Sequence, residues 1–217
     1  MLSKRLIGIF MLAGPILAII MMLLEQTYGR GGGSSFAEQL KAMSDNYALA
    51  TIGSIGFAIA ILAIFIGIYG LARSMQGENK PGSDLAGLAS IFAILIAGVY
   101  MVSLGLELIA TEKASEWTKQ GGDAISAFSL SEAITRSIFV LDSLVMLFLG
   151  LAILIQKNMS KIVGGLFTVF GICALFGGIF SAGDNWAGMI WLIGFLGFPI
   201  ITSVTGFLIL WQARKNT

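Results

Sequence analysis

The chain has 217 residues, 57% hydrophobic and only 12% charged, with net charge +1 and mean hydropathy +0.91. Soluble domains carry about 25% charged residues, so this balance belongs to a membrane protein, and near-neutral charge leaves no footprint for nucleic acid. Histidine is absent and Cys173 is the sole cysteine, which removes bis-histidine haem, HExxH zinc sites, Ser-His and Cys-His nucleophile pairs, cysteine-ligated clusters and any disulfide within the chain.

A membrane-crossing helix needs about 20 apolar residues. Six runs qualify in one domain over residues 1–217: Leu6–Leu24, Ala48–Ala72, Leu85–Ala110, Ser137–Ile155, Ile162–Phe180 and Ala187–Trp211. In lipid every backbone group needs an internal partner, so each run is a helix and the expected fold is an all-α six-helix transmembrane bundle. Lys4 and Arg5 precede the first run in the manner of a secretory signal, but "LLEQTYG" offers no small-x-small cleavage site, so this run reads as a retained helix. No lysine lies inside an apolar core, which excludes a retinal Schiff base.

Placing the N-terminus inside puts Lys4, Arg5, Arg73, Lys80, Lys157, Lys161, Arg214 and Lys215 in the cytoplasm with only two acids, Glu78 and Asp84. The opposite side then holds Arg30, Lys41, Lys113, Lys119 and Arg136 with the remaining acids. The positive-inside rule therefore predicts both termini in the cytoplasm and a multi-pass protein of the cell (inner) membrane. Both longer connections are then external. In the first, "GRGGGSS" is a flexible tether, followed by Ser35-Phe36-Ala37-Glu38, a capping-box pattern. Phe36, Leu40 and Met43 recur at helical spacing, which predicts a short amphipathic helix on the outer surface. The second, Thr111 to Leu130, holds Trp117 and a Gly121-Gly122 break. Ser129-Leu130-Ser131-Glu132 is a capping pattern that would start the fourth helix above the membrane. Trp186, Trp191 and Trp211 fall near span ends, as an interfacial belt requires.

Small residues mark the packing faces. Ala86, Ser90, Ala93, Ala97, Tyr100, Leu104 and Glu107 share one face of the third span, and Gly164, Thr168, Gly171, Ala174 and Gly178 share one of the fifth. Such faces let membrane helices approach closely, within the chain or against a partner membrane protein or second copy. Pro15 and Pro199 each remove a helical donor and crowd the preceding turn. The ten methionines suit Cu(I) by ligand type, but without a tight Met-x-x-Met pattern they read as core filler, and no cofactor or metal is implied.

Carboxylates are the chemistry left. Asp142 lies roughly 8 Å into its apolar run. Glu107 lies near the outer end of the third span on its small face, Glu25 follows the first span, and Asp184 with Asn185 precedes the sixth. Intramembrane acids are functional by default, so Glu107, Asp142 and Asp184 form the candidate proton, cation or polar-network site. The alternative is that Asp142 is interhelical glue bonded to Ser103, Thr202 or Thr205, worth around 0.6 kcal/mol.

The stretch "KRLIGIFMLAGPILAII", a long outer loop and "IGIYGLARSM" closing the second span together resemble an uncharacterised bacterial family of six-helix membrane proteins. That resemblance implies six helices and brings no substrate, cofactor or site. A weaker similarity is to the S-components of vitamin importers, also six helices in a chain of this size, although their Ala-x-x-x-Ala coupling motif is absent from the first helix. With no nucleophile-base pair or metal site to assemble, the chain reads as no enzyme. It reads first as a structural or accessory membrane subunit, and alternatively as a small-solute or cation/proton-coupled transporter or channel with an outward-facing carboxylate site.

Overall fold

Lipid leaves a backbone amide no partner but the chain itself, and in the computed structural model every described segment beyond short turns is helical. The described residues are 2–29, 35–114, 123–157, 159–180 and 185–215. Helix α1 is Lys4–Leu24, opened by Ser3, whose Oγ accepts from the Leu6 amide at 3.2 Å, and continued by one π-helical turn, Glu25–Gly29. Then follow α2 (Phe36–Asp45), α3 (Tyr47–Ser74), α4 (Ser83–Ala114), α5 (Asp123–Gln156), α6 (Lys161–Phe180) and α7 (Asn185–Lys215). All but α2 are long and apolar enough to cross a membrane, giving six spans.

Each spanning helix packs on its neighbours in sequence, and α1 closes on α7, so the six form a ring in chain order. Six crossings return the chain to its starting side, and Lys4 and Gln212 line one pocket there. We call this the terminal face, and the opposite end the far face.

The seams close where a side chain is missing. A Cβ at Gly206 would fall 2.5 Å from the Leu12 nitrogen of α1, and one at Gly194 would fall 2.5 Å from the Ala174 nitrogen of α6. The α6 face divides between two neighbours: Gly164 and Gly171 meet α5, while Ala174 and Gly177 meet α7. On α4, Ala86, Ala93 and Ala97 are buried, as is Ser90. Above the Gly206 contact, toward the far face, α1 and α7 leave an entirely apolar cleft of about 250 Å³ between Ile19, Met22, Phe195 and Pro199, floored by Phe57 and Ile61 of α3.

The capping box forms as its pattern predicts: Ser35 Oγ accepts from the Glu38 amide, and Glu38 Oε2 accepts from the Ser35 amide, both at 3.3 Å. The apolar face of α2 goes to protein, however. Leu40 and Met43 are fully buried with Ala50, Ala110, Ala124 and Phe128, and Phe36 meets the Phe128 ring edge-on at 5.6 Å. Helix α2 therefore caps the far ends of α3, α4 and α5.

Two further local expectations need correction. The fourth spanning helix begins at Asp123, and Ser129 sits within it, donating to the Ser126 carbonyl at 3.0 Å instead of capping an end. Trp186 and Trp211 are exposed, but Trp191 lies against Gly177 and stacks on Phe195 at 4.9 Å, a packing residue. Met11, Met43, Met75 and Met146 are core residues as expected. The tether residues Arg30 to Ser34, with Trp117 and the Gly121-Gly122 break, lie outside the described residues.

The seams generate a paired test. Gly177→Ala drives a methyl into the Trp191 backbone and should lower stability in detergent melting by about 1–3 kcal/mol. Gly188→Ala, with nothing within 4 Å of its new methyl, should instead raise it by about 0.5–1 kcal/mol. Equal effects would refute the close α6–α7 seam.

Candidate functional site

The ring interior is apolar over most of its length, so the polar side chains facing it stand out. On α5 the lipid side is marked by Leu130 and Ile155, 52% and 46% exposed, and the opposite stripe by the buried Ser131, Ile138, Val145, Met146, Leu149 and Ile153. Helical periodicity puts Asp142 in the middle of that buried stripe.

Nearest the far face, Ser54 Oγ of α3 donates to Glu107 Oε1 of α4 at 2.6 Å, with both residues buried. Glu25, buried in the π-helical turn, rests its Cβ against Gly53, the neighbour of Ser54. One turn lower, Ser103 Oγ lies 2.8 Å from Ser131 Oγ and 2.9 Å from Thr135 Oγ1, and Ser131 Oγ also lies 2.9 Å from the Ser103 carbonyl. This hydroxyl cluster joins α4 to α5.

Asp142 comes next. Its Oδ1 is buried and has no hydrogen-bond partner among the described residues. Ile138 and Val145 on the same stripe are 5% and 0% exposed, yet Asp142 keeps accessible surface. Further toward the terminal face is Thr202 of α7, fully buried with its Oγ1 also unpartnered among the described residues. Phe139 packs on Trp191 and Phe195, which sets the register of these parallel helices. Thr202 therefore lies about 9 Å deeper than Asp142 at 1.5 Å rise per residue.

Glu107 and Asp142 do not converge. Ser103 and Thr135 meet at one level, and Glu107 and Asp142 extend from it in opposite directions, about 16 Å apart along the axis. They mark successive levels of one polar column. Asp184 lies outside the described residues. The three hydroxyls expected to hold Asp142 do not: Ser103 bonds within its own cluster, Thr205 donates to the Ile201 carbonyl at 2.7 Å, and Thr202 is unpartnered. The column therefore contains more than the carboxylates suggested. Ser131, Thr135 and Asp142 recur in steps of four and seven along α5, a signal of one interior stripe that was open to reading.

Chemically, Asp142 Oδ1 and Thr202 Oγ1 have unused acceptor capacity, as does Thr51 Oγ1 near the far face, and such oxygens can bind a proton, a small cation or a donor group of a solute. Among the described residues no group of three acids or cysteines could hold a metal ion. No family model, curated protein or solved structure matches the chain.

Opposite stability effects should follow from the two acid environments. Ser54→Ala removes a buried donor from Glu107 and should destabilise by about 1–3 kcal/mol. Asp142→Leu replaces an unpartnered buried oxygen with hydrocarbon of similar size, and stability should hold or rise by up to about 2 kcal/mol. If melting in detergent shows Asp142→Leu to be as damaging as Ser54→Ala, Asp142 is a bonded structural residue.

Proposed function

We propose that this multi-pass membrane protein conducts or transports a small solute or ion, with Asp142 as its proton- or cation-binding group. The carrying observation is the unpartnered Asp142 oxygen on the buried stripe of its helix, in a closed helical ring. A subunit that only packs gains nothing from such an atom, since a buried unsatisfied polar group costs about 1–3 kcal/mol. The hydroxyl cluster above and Thr202 below extend the polar column along the axis, and the fully buried Ile64, Ile68, Met11 and Leu149 fill the ring around its deeper part. Transport then requires these apolar contacts to part, exposing Asp142 to each side in turn. The structural or accessory reading draws less support, because the small faces of α4 and α6 that would dock a partner are largely buried within the chain.

The same proposal fixes direction. The basic residues gathered on the terminal face support a cytoplasmic location for it, and α2 then caps the external mouth. A bacterial inner membrane suits that arrangement. No catalytic role is assigned to any residue.

Two measurements test this. Reconstituted protein should dissipate imposed proton, sodium or potassium gradients faster than empty vesicles, and Asp142→Asn should abolish the difference while keeping its melting transition. Wild-type vesicles that match empty ones with all three ions would refute the assignment of Asp142. For direction, in a Cys173→Ser background, Lys41→Cys should react with an impermeant thiol reagent added to intact cells, and Glu78→Cys should not. Both side chains are exposed on opposite faces, so the reverse pattern would invert the orientation.

A further inference from the structure

At the terminal mouth of the ring is a second pocket, of about 320 Å³, separate from Asp142. Its charged lining is Lys4 of α1 and Lys80 of the α3–α4 turn, with Ser74 of α3, Gln156 of α5 and Gln212 of α7 around them. No carboxylate is among its described lining residues. The acids of this face, Glu78 and Asp84, belong to the same turn region but do not line it.

Lys4, Ser74, Lys80 and Gln212 are exposed at the rim, and hydrogen bonds hold part of that rim in place. Lys80 is placed by a turn in which its amide donates to the Gly77 carbonyl at 3.3 Å and the Gly77 amide donates to Ser83 Oγ at 3.1 Å. Its Nζ donates to the Ser74 carbonyl at 3.2 Å, which leaves two of three ammonium protons to offer. The turn is itself pinned to α5, since Gln156 Nε2 donates to the Met75 carbonyl at 2.6 Å. Lys4 lines the same space from α1, the neighbour of α3 in the ring. Beneath the polar rim, Ile7, Leu71 and Ile209 supply an apolar floor, which lowers the local dielectric and strengthens a charge bound above it.

We propose that this mouth binds a phosphate-bearing anion. Two ammonium groups lining one mouth match the roughly −1.5 to −2 charge of a phosphomonoester at neutral pH. Charge-assisted donors are the strong ones, and Gln212 adds an amide donor. The volume is at the lower end of ligand pockets, about 300–1,000 Å³, so the organic part is small or extends outside. The shared chemistry fits a soluble phosphate compound or a phospholipid headgroup. The site is independent of transport through Asp142.

The test uses the full chain. In detergent, inorganic phosphate and phenyl phosphate are titrated calorimetrically. In parallel, protein in phosphatidylcholine nanodiscs is compared with protein in nanodiscs containing phosphatidate, with headgroup contact read by phosphorus NMR. Saturable binding of phenyl phosphate identifies a soluble source, and saturable contact with phosphatidate alone identifies a headgroup. Lys4→Gln with Lys80→Gln should weaken the observed binding by about tenfold or more. Lys157→Gln with Lys161→Gln, which removes equal charge from the same face outside the pocket, should leave it within about twofold. Gln212→Glu, keeping both lysines but adding a carboxylate to the mouth, should abolish it. No saturable binding to any probe overturns the site, as does equal weakening in the two double variants or full binding by Gln212→Glu in protein that melts like wild type.

Discussion

Helices in lipid are not driven together by water, and what holds them is dispersion between surfaces that fit at short range. In this chain the fit is made by taking side chains away. At Gly206, Gly194, Gly177 and Gly150 a neighbouring backbone occupies the space a Cβ would need. Dispersion falls off steeply with separation, so these points determine which helices touch and how far apart the others stand. A ring of six closes only if every seam holds, and a closed ring has an inside. The polar column exists because the seams shield it from lipid.

That interior is organised by depth. Near the far face Ser54 bonds with Glu107 and Ser103 with Ser131 and Thr135, while Thr51 Oγ1 has no partner among the described residues. Deeper, at Asp142 and Thr202, the oxygens have no partner among the described residues. The terminal mouth differs again, with ammonium and amide groups over an apolar floor. A carboxylate inside and a basic mouth differ in the sign of charge they favour.

Most of the architecture was legible because its causes are local. Length and hydropathy mark a span whatever it touches, and the six runs reappear as six helices. Ser35 and Glu38 encode their own cap, since both bonds are made within one turn. Where tertiary contacts decide, the reading failed in identifiable ways. The α5 start was placed at the Ser129 capping pattern, whereas the helix continues upward to Asp123 through residues that α2 and α4 cover. Trp191 looked interfacial by position, but Gly177 opposite makes room for it in the bundle. At the site, Asp142 was identifiable as an intramembrane acid, and its lack of a hydroxyl partner was not. Which of Ser103, Thr202 and Thr205 reaches it depends on register between helices far apart in sequence.

Sequential ring order has a consequence for biogenesis. Five of the six seams join helices adjacent along the chain, so each can form soon after its second helix leaves the insertion machinery. The α1–α7 seam alone joins the first span made to the last. Until α7 arrives, the bundle is an open arc in which Glu107 and Ser131 are already bonded to their neighbours, and Asp142 has no partner among the described residues. A chain truncated before Asn185 would remain in that state, with this intramembrane carboxylate uncovered on the α7 side. Completion of synthesis and concealment of Asp142 are thus one event, set by the contact of Gly8 and Gly206.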